Sequence, residues 1–266
     1  MPDVRNVQDG DTLSTWFASI PPVTRYWLVS CTLVTLGCGI GLIDPRLVIL
    51  DWRQILHGWQ LWRLLTCFLF LGSLGFGFLF NLLFIYQYSS ALEKNVFQGR
   101  TADYLWMFVV VGSALLIVSA TVLRTYVLGP ALLMAVTHIW SRHFPTMRVT
   151  IFFFTVPAAY LSFALLALTL LMGGGLDLSG AAGMICGHLY YFLDSVYPFL
   201  PGNQGQKPLQ TPALFARLVG GRPVPSRGLR RDASDTTSRV SLSSLTGGHR
   251  WGTGQRLGSQ ENSSGS

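Results

Sequence analysis

The chain has 266 residues, 50% of them hydrophobic and only 12% charged, with a formal net charge of +7. A mean hydropathy of +0.43 with so few charges excludes an ordinary soluble domain, in which about 25% of residues are charged. Between residues 24 and 195 the charges fall in short clusters separated by apolar runs of roughly 15 to 25 residues, and about 20 suffice to cross a bilayer as a helix.

Taken in chain order, residues 1–22 are polar or amphipathic and carry no cleavable signal, so the first apolar run is expected to insert as its own anchor. Six runs are predicted as membrane spans, at about 24–43, 64–88, 104–123, 126–140, 149–172 and 177–195, which makes the fold class an all-α polytopic membrane protein. Gly37 and Gly41 on the first span have ordinary helix-packing spacing. The segment 44–63 places Trp52, Trp59 and Trp62 among Arg46, Arg53, His57 and Arg63, too charged to span, and belongs at the headgroup level. Within it, Trp62–Arg63 reads as an aromatic belt residue beside a snorkelling cation. The fourth run has only 15 residues, about 22 Å at 1.5 Å each against about 30 Å of hydrocarbon. Such a helix must thin the bilayer, be shielded by neighbours or borrow flanking residues.

His138 and His188 sit on the fourth and sixth spans, and neither has a carboxylate or serine at a helical spacing that suggests a dyad; packing is the expected role of both. Asp177 is a helix-start residue, where a carboxylate suits the positive end of the helix dipole. Gly183 and Gly187 form a G-x-x-x-G on the sixth span, extended by Gly180, and let a neighbouring backbone approach one face of the helix. Cys31, Cys38, Cys67 and Cys186 lie in or beside apolar runs without metal or redox spacing and are read as free thiols. Nothing points to a cofactor, a metal or a nucleic-acid partner.

After residue 200 the composition turns to Gly, Pro, Ser and Arg, so residues 1–200 are assigned to the membrane domain and 201–266 to a disordered basic tail. An even number of spans puts both termini on one side. That side carries fifteen Lys and Arg, nine of them beyond residue 200, against four opposite, so both tails are placed in the cytosol. Within the tail, W-G-T-G-Q-R-L from Trp251 to Leu257 has the form of a short anchor for a partner groove, two apolar residues around Gly252 and Gly254.

Several separated stretches resemble the Derlin family: SIPPVTRYW (Ser19–Trp27), WRLLT (Trp62–Thr66), YQYSSALEKNVFQGRTADY (Tyr86–Tyr104) and GHLYYFLDSVYP (Gly187–Pro198). HRWGTGQRLGSQ (His249–Gln260) resembles the family's SHP box, so the likeness runs over nearly the whole chain. The resemblance implies a rhomboid-like fold of six helices in the endoplasmic reticulum membrane, with Trp62, Arg63, Gly183 and Gly187 as its fold motif. It also implies a role in removing misfolded proteins from that compartment. The implied partners are an AAA ATPase of the valosin-containing-protein type, bound by Trp251, Gly252, Gly254 and Leu257, an endoplasmic reticulum ubiquitin ligase complex, misfolded substrates, membrane lipids and other Derlins.

Active rhomboids carry a serine in G-x-S-G at the start of span four and a histidine three residues before the first glycine of G-x-x-x-G. Here Tyr126 to Trp140 contains no serine and the second position is Gly180, so a pseudoprotease is expected. The implied activity is assistance to retrotranslocation by thinning the bilayer while the tail recruits the ATPase. The alternative is a scaffold that recruits ATPase and ligase without a conduit. A secondary transporter would need intramembrane carboxylates, broken helices and an inverted repeat, none of which is visible.

Overall fold

A computed structural model of the chain describes residues 10–151, 154–171, 177–200 and 208–219, all within one contact unit, Met1–Ser226; the second unit, Arg227–Ser266, lies outside the described residues. The structure is helical apart from one hairpin among those residues. In order come α1 (Gly10–Ser19), α2 (Pro22–Gly39), the short α3 (Pro45–Val48) and α4 (Trp52–Gly58), α5 (Arg63–Leu69) and α6 (Phe76–Phe84). A π-turn, Ile85–Ser89, joins α6 to α7 (Ser90–Asn95); α8 (Thr101–Val118) runs on through a π-turn to Leu123. Then follow α9 (Gly129–His143), strands β1 (Arg148–Ile151) and β2 (Phe154–Pro157), α10 (Leu161–Thr169), α11 (Leu178–Tyr191) and α12 (Ala213–Leu218).

The bundle is built around α9. From Ala131 to Ser141 every residue of this helix is buried, with Ala131, Ala135, Val136 and Ile139 fully enclosed. Pro130 in the first turn tolerates the missing N–H there, and Gly129 allows the chain to enter against the carbonyls of Phe68 and Phe70. A 15-residue helix too short for a bilayer is therefore shielded by protein on all sides. Around it the outward faces are apolar: Leu33 on α2, Leu79 and Leu83 on α6, Ile117 on α8, Phe163 on α10 and Ile185 on α11 are all exposed. An apolar exterior around a packed interior is the arrangement a lipid solvent selects. Thr101–Leu123, 23 residues, is long and apolar enough to cross a bilayer unaided. All four cysteines are free.

Three expectations from the sequence are corrected. The run 64–88 is not one helix: Leu69 and Phe76 are separated by an extended connection in which Gly72 takes φ +104°, a conformation that a side chain disfavours. Its freed backbone groups find partners in neighbouring helices. Leu71 N–H donates to Thr35 Oγ1 at 3.4 Å, and Asn81 Nδ2 donates to the Leu71 carbonyl at 3.5 Å. The run 149–172 begins as a hairpin, β1 pairing antiparallel with β2 in the register Val149↔Val156, because Val149, Thr150, Ile151, Thr155 and Val156 are β-branched. Helix starts only at Ala158. Beyond residue 200, residues counted with the tail form α12, which packs on α8 through Phe215 and Trp106, ring centroids 5.3 Å apart.

Candidate functional site

Arg63 opens α5 and is 4% exposed. Its Nε donates to Gln60 Oε1 at 2.6 Å, and its NH1 donates to the Ile49 carbonyl at 2.9 Å and to the Arg46 carbonyl. Thr66 Oγ1 adds a bond to the Val48 carbonyl at 3.1 Å. The guanidinium is thus threaded through the loop that carries α3 and α4 and closes it onto α5. The snorkelling expected of Arg63 is corrected: a planar five-donor group serves here as a buried clamp on carbonyls. Its neighbour Trp62 does the opposite and is 53% exposed, alongside exposed Leu56, Trp59 and Leu65. Asp44 and Asp51 cap α3 and α4 by accepting from the backbone N–H of Arg46 and Arg53, at 2.9 and 3.0 Å. The two halves of Trp62–Arg63 therefore face in opposite directions, one pinning the loop and one presented to the surroundings.

The second part of the site is the seam between α9 and α11. A Cβ built on Gly183 would lie 2.0 Å from the Ala131 carbonyl oxygen, and one on Gly187 would lie 2.7 Å from that of Ala135. The two glycines, one turn apart on α11, meet two alanines one turn apart on α9, so the backbones touch without intervening side chains. Asp177 caps α11, its Oδ1 accepting from Gly180 N–H at 2.9 Å and from Ser179 Oγ at 2.8 Å.

The same seam brings His138 and His188 together, with Nε2 of the first 3.3 Å from Nδ1 of the second, and sets His138 Nδ1 3.1 Å from Ser162 Oγ on α10. Arg142 Nε donates to His138 Nε2 at 3.5 Å. A guanidinium can only donate, so His138 Nε2 is the acceptor and Nδ1 carries the proton, donating to Ser162 Oγ. That polarity is the reverse of an activated serine, whose hydroxyl must give its proton to an unprotonated ring nitrogen. Ser162 is 0% exposed and His138 2%. This Ser–His contact came from no sequence signal, since the partners are 24 and 50 residues from His138.

A further cluster lies in the YQYSSALEKNVFQGRTADY stretch. Glu93, buried, accepts from the backbone N–H groups of Val23 and Thr24 at 3.1 and 2.9 Å and from Thr24 Oγ1 at 2.8 Å. Thr24 Oγ1 lies 2.8 Å from Ser89 Oγ, and Ser89 Oγ 2.7 Å from the Tyr104 hydroxyl. Because the Thr24 proton goes to the carboxylate, the chain runs one way: Tyr104 donates to Ser89, Ser89 to Thr24 and Thr24 to Glu93. The first turn of α2, which starts at a proline, takes its cap from α7, across about 70 residues of chain. Trp251, Gly252, Gly254 and Leu257 lie outside the described residues.

An apolar exterior, a clamped aromatic loop and a short central helix enclosed by its neighbours define a helical membrane protein. Its sequence places it more narrowly. A model of the Der1-like family matches residues 20–213, and the chain belongs to that family. It is 35% identical over 233 residues to Derlin-2 of Oryza sativa subsp. japonica, covering 80% of this chain and 91% of that protein. To Derlin-1 of Homo sapiens it is 35% identical over 256 residues, 92% of this chain and 98% of the relative, so the likeness extends past residue 213. The Probable derlin-2 homolog of Dictyostelium discoideum is 32% identical over 219 residues, 79% and 84% of the two chains.

Proposed function

We propose that this chain is a non-catalytic component of endoplasmic-reticulum-associated degradation, a six-span protein of that membrane with both tails cytosolic. It assists the passage of misfolded proteins to the cytosol by thinning the bilayer around its bundle. The observation that carries this reading is the break in the second apolar run. Its first helix, Arg63–Leu69, has 7 residues and covers about 10 Å at 1.5 Å per residue against about 30 Å of hydrocarbon, with Leu65 exposed. Short lipid-facing helices draw the leaflets together, and a thinner apolar layer lowers the cost of carrying unpaired backbone groups across. The aromatic loop clamped by Arg63 supports the same reading, with Trp59 and Trp62 free to sit among headgroups. Its tail is assigned to recruiting a valosin-containing-protein-type ATPase, which supplies the pull, and the chain to acting beside a ubiquitin ligase complex and further Derlin chains. A protease role is not supported, since His138 already donates its Nδ1 proton to the enclosed Ser162.

The test separates conduit from scaffold. In Trp59→Ala/Trp62→Ala, the exposed aromatics are removed while Arg63 and the tail stay intact. Export of a misfolded lumenal substrate is expected to slow several-fold, with ATPase co-purification unchanged. Unaltered export would favour the scaffold reading.

A further inference from the structure

We infer that Thr211 is a phosphorylation site for a proline-directed kinase, and that its modification releases the segment 208–219 from α8. This rests on the cytosolic placement of the C-terminal region proposed above.

Thr211 is followed by Pro212, the minimal recognition pair of such kinases. The pair precedes α12 rather than lying in it, and Pro212 has φ −59° and ψ 137°, the extended backbone that a kinase cleft accepts. Thr211 Oγ1 donates to Asp103 Oδ1 at 2.6 Å, and the other oxygen of Asp103 faces Arg100 NH1 at 3.4 Å. The remaining attachment is small: Phe215 against Trp106, Ala216 buried, and Leu209 packed at the edge of the core. Leu214 and Leu218, one turn apart, are 75% and 86% exposed, so only one face of α12 is held. The hydroxyl that a kinase would modify is thus the group that bonds this segment to α8, and the acceptor is a carboxylate.

In the reaction ATP gives its γ-phosphoryl group to Thr211 Oγ1. A P–O bond forms there, the bond between the γ-phosphorus and the bridging oxygen of ATP breaks, ADP leaves, and the hydroxyl proton passes to the kinase's base. The product has no hydrogen to offer Asp103 and places about −1.5 to −2 charges beside it. Arg100 is already engaged by the carboxylate it would have to leave. Docking and phosphorylation exclude each other, and the modified segment detaches.

The experiment uses the full chain in nanodiscs, treated with a proline-directed kinase and ATP, with phosphosite mapping and hydrogen exchange of amides 213–219 by mass spectrometry. Phosphate on Thr211 with exchange accelerated about tenfold or more is the expected result. Thr211→Glu is expected to accelerate exchange in part. Asp103→Asn, which still accepts a hydrogen bond, is expected to hold the unmodified segment and to blunt the effect of the phosphate. No modification of Thr211, or a modified chain with unchanged or slower exchange, overturns the inference; slower exchange would mean that Arg100 has captured the phosphate. Protease treatment of sealed microsomes carrying a C-terminal epitope checks the topology separately, since a lumenal tail protects the epitope whatever the nanodisc result.

Discussion

Glu93 is the residue on which the first span depends, although it lies on a different helix. Pro21, at the N-cap of α2, offers no side-chain cap, and the carboxylate of Glu93 receives two of the helix's first N–H groups together with the Thr24 hydroxyl. Removing it would strand buried donors, each worth about 1–3 kcal/mol, so Glu93→Ala is expected to cost about 2–5 kcal/mol in the thermal unfolding of purified protein. Glu93→Gln retains one acceptor oxygen and should lose less. If both variants unfold at the wild-type temperature, the cap contributes nothing. The same scale shows the limit of reading a residue alone. Trp62 and Arg63 are adjacent and both suit an interface by type, yet one is exposed and the other clamps three acceptors. Side-chain chemistry predicts where a residue is tolerated; what it touches is decided by chain returning from elsewhere, here the carbonyls of Arg46 and Ile49.

Between elements, the α9–α11 seam makes a graded prediction. An added methyl at Gly183 meets backbone at 2.0 Å, at Gly187 at 2.7 Å, and at Gly77 on α6 finds nothing within 4 Å. Gly183→Ala should therefore destabilise most, by about 2–3 kcal/mol, and Gly187→Ala less, by about 1–2 kcal/mol. Gly77→Ala should be neutral or stabilising, since alanine favours helix over glycine by about 1 kcal/mol. Equal unfolding temperatures for all three would contradict the close approach. The spacing of Gly183 and Gly187 is visible in sequence because a 3.6-residue period puts them on one face. Their partners Ala131 and Ala135 are not, because no period connects one helix to another; for the same reason His138, Ser162 and His188 gave no sign of meeting. The hairpin was hidden differently. Val149, Thr150, Ile151, Thr155 and Val156 carry a strand preference, but an unbroken apolar run reads equally as buried helix.

At the scale of the whole chain, the membrane bundle and the tail divide the proposed labour. A peptide spanning His249–Gln260 is expected to bind the N-terminal domain of valosin-containing protein. Trp251→Ala should weaken that binding about thirtyfold, since a buried tryptophan anchor is worth about 2 kcal/mol or more. Titration calorimetry at two salt concentrations distinguishes this from attraction by the nine tail Lys and Arg, which would fade with salt and be indifferent to Trp251. Equal affinities for the two peptides would end the ATPase-recruitment reading. The enclosure of α9 has its own consequence for how the protein is made. Ala131 and Ala135 leave the ribosome about 50 residues before Gly183 and Gly187, which at roughly 5–20 residues per second is a delay on the order of 3–10 s. Throughout that interval the central helix is short, lacks the partner that will cover its seam, and has only the earlier helices for shelter. Newly made chains therefore pass through a state in which this helix is itself an unfinished membrane segment, open to surveillance or to a waiting chaperone until α11 arrives.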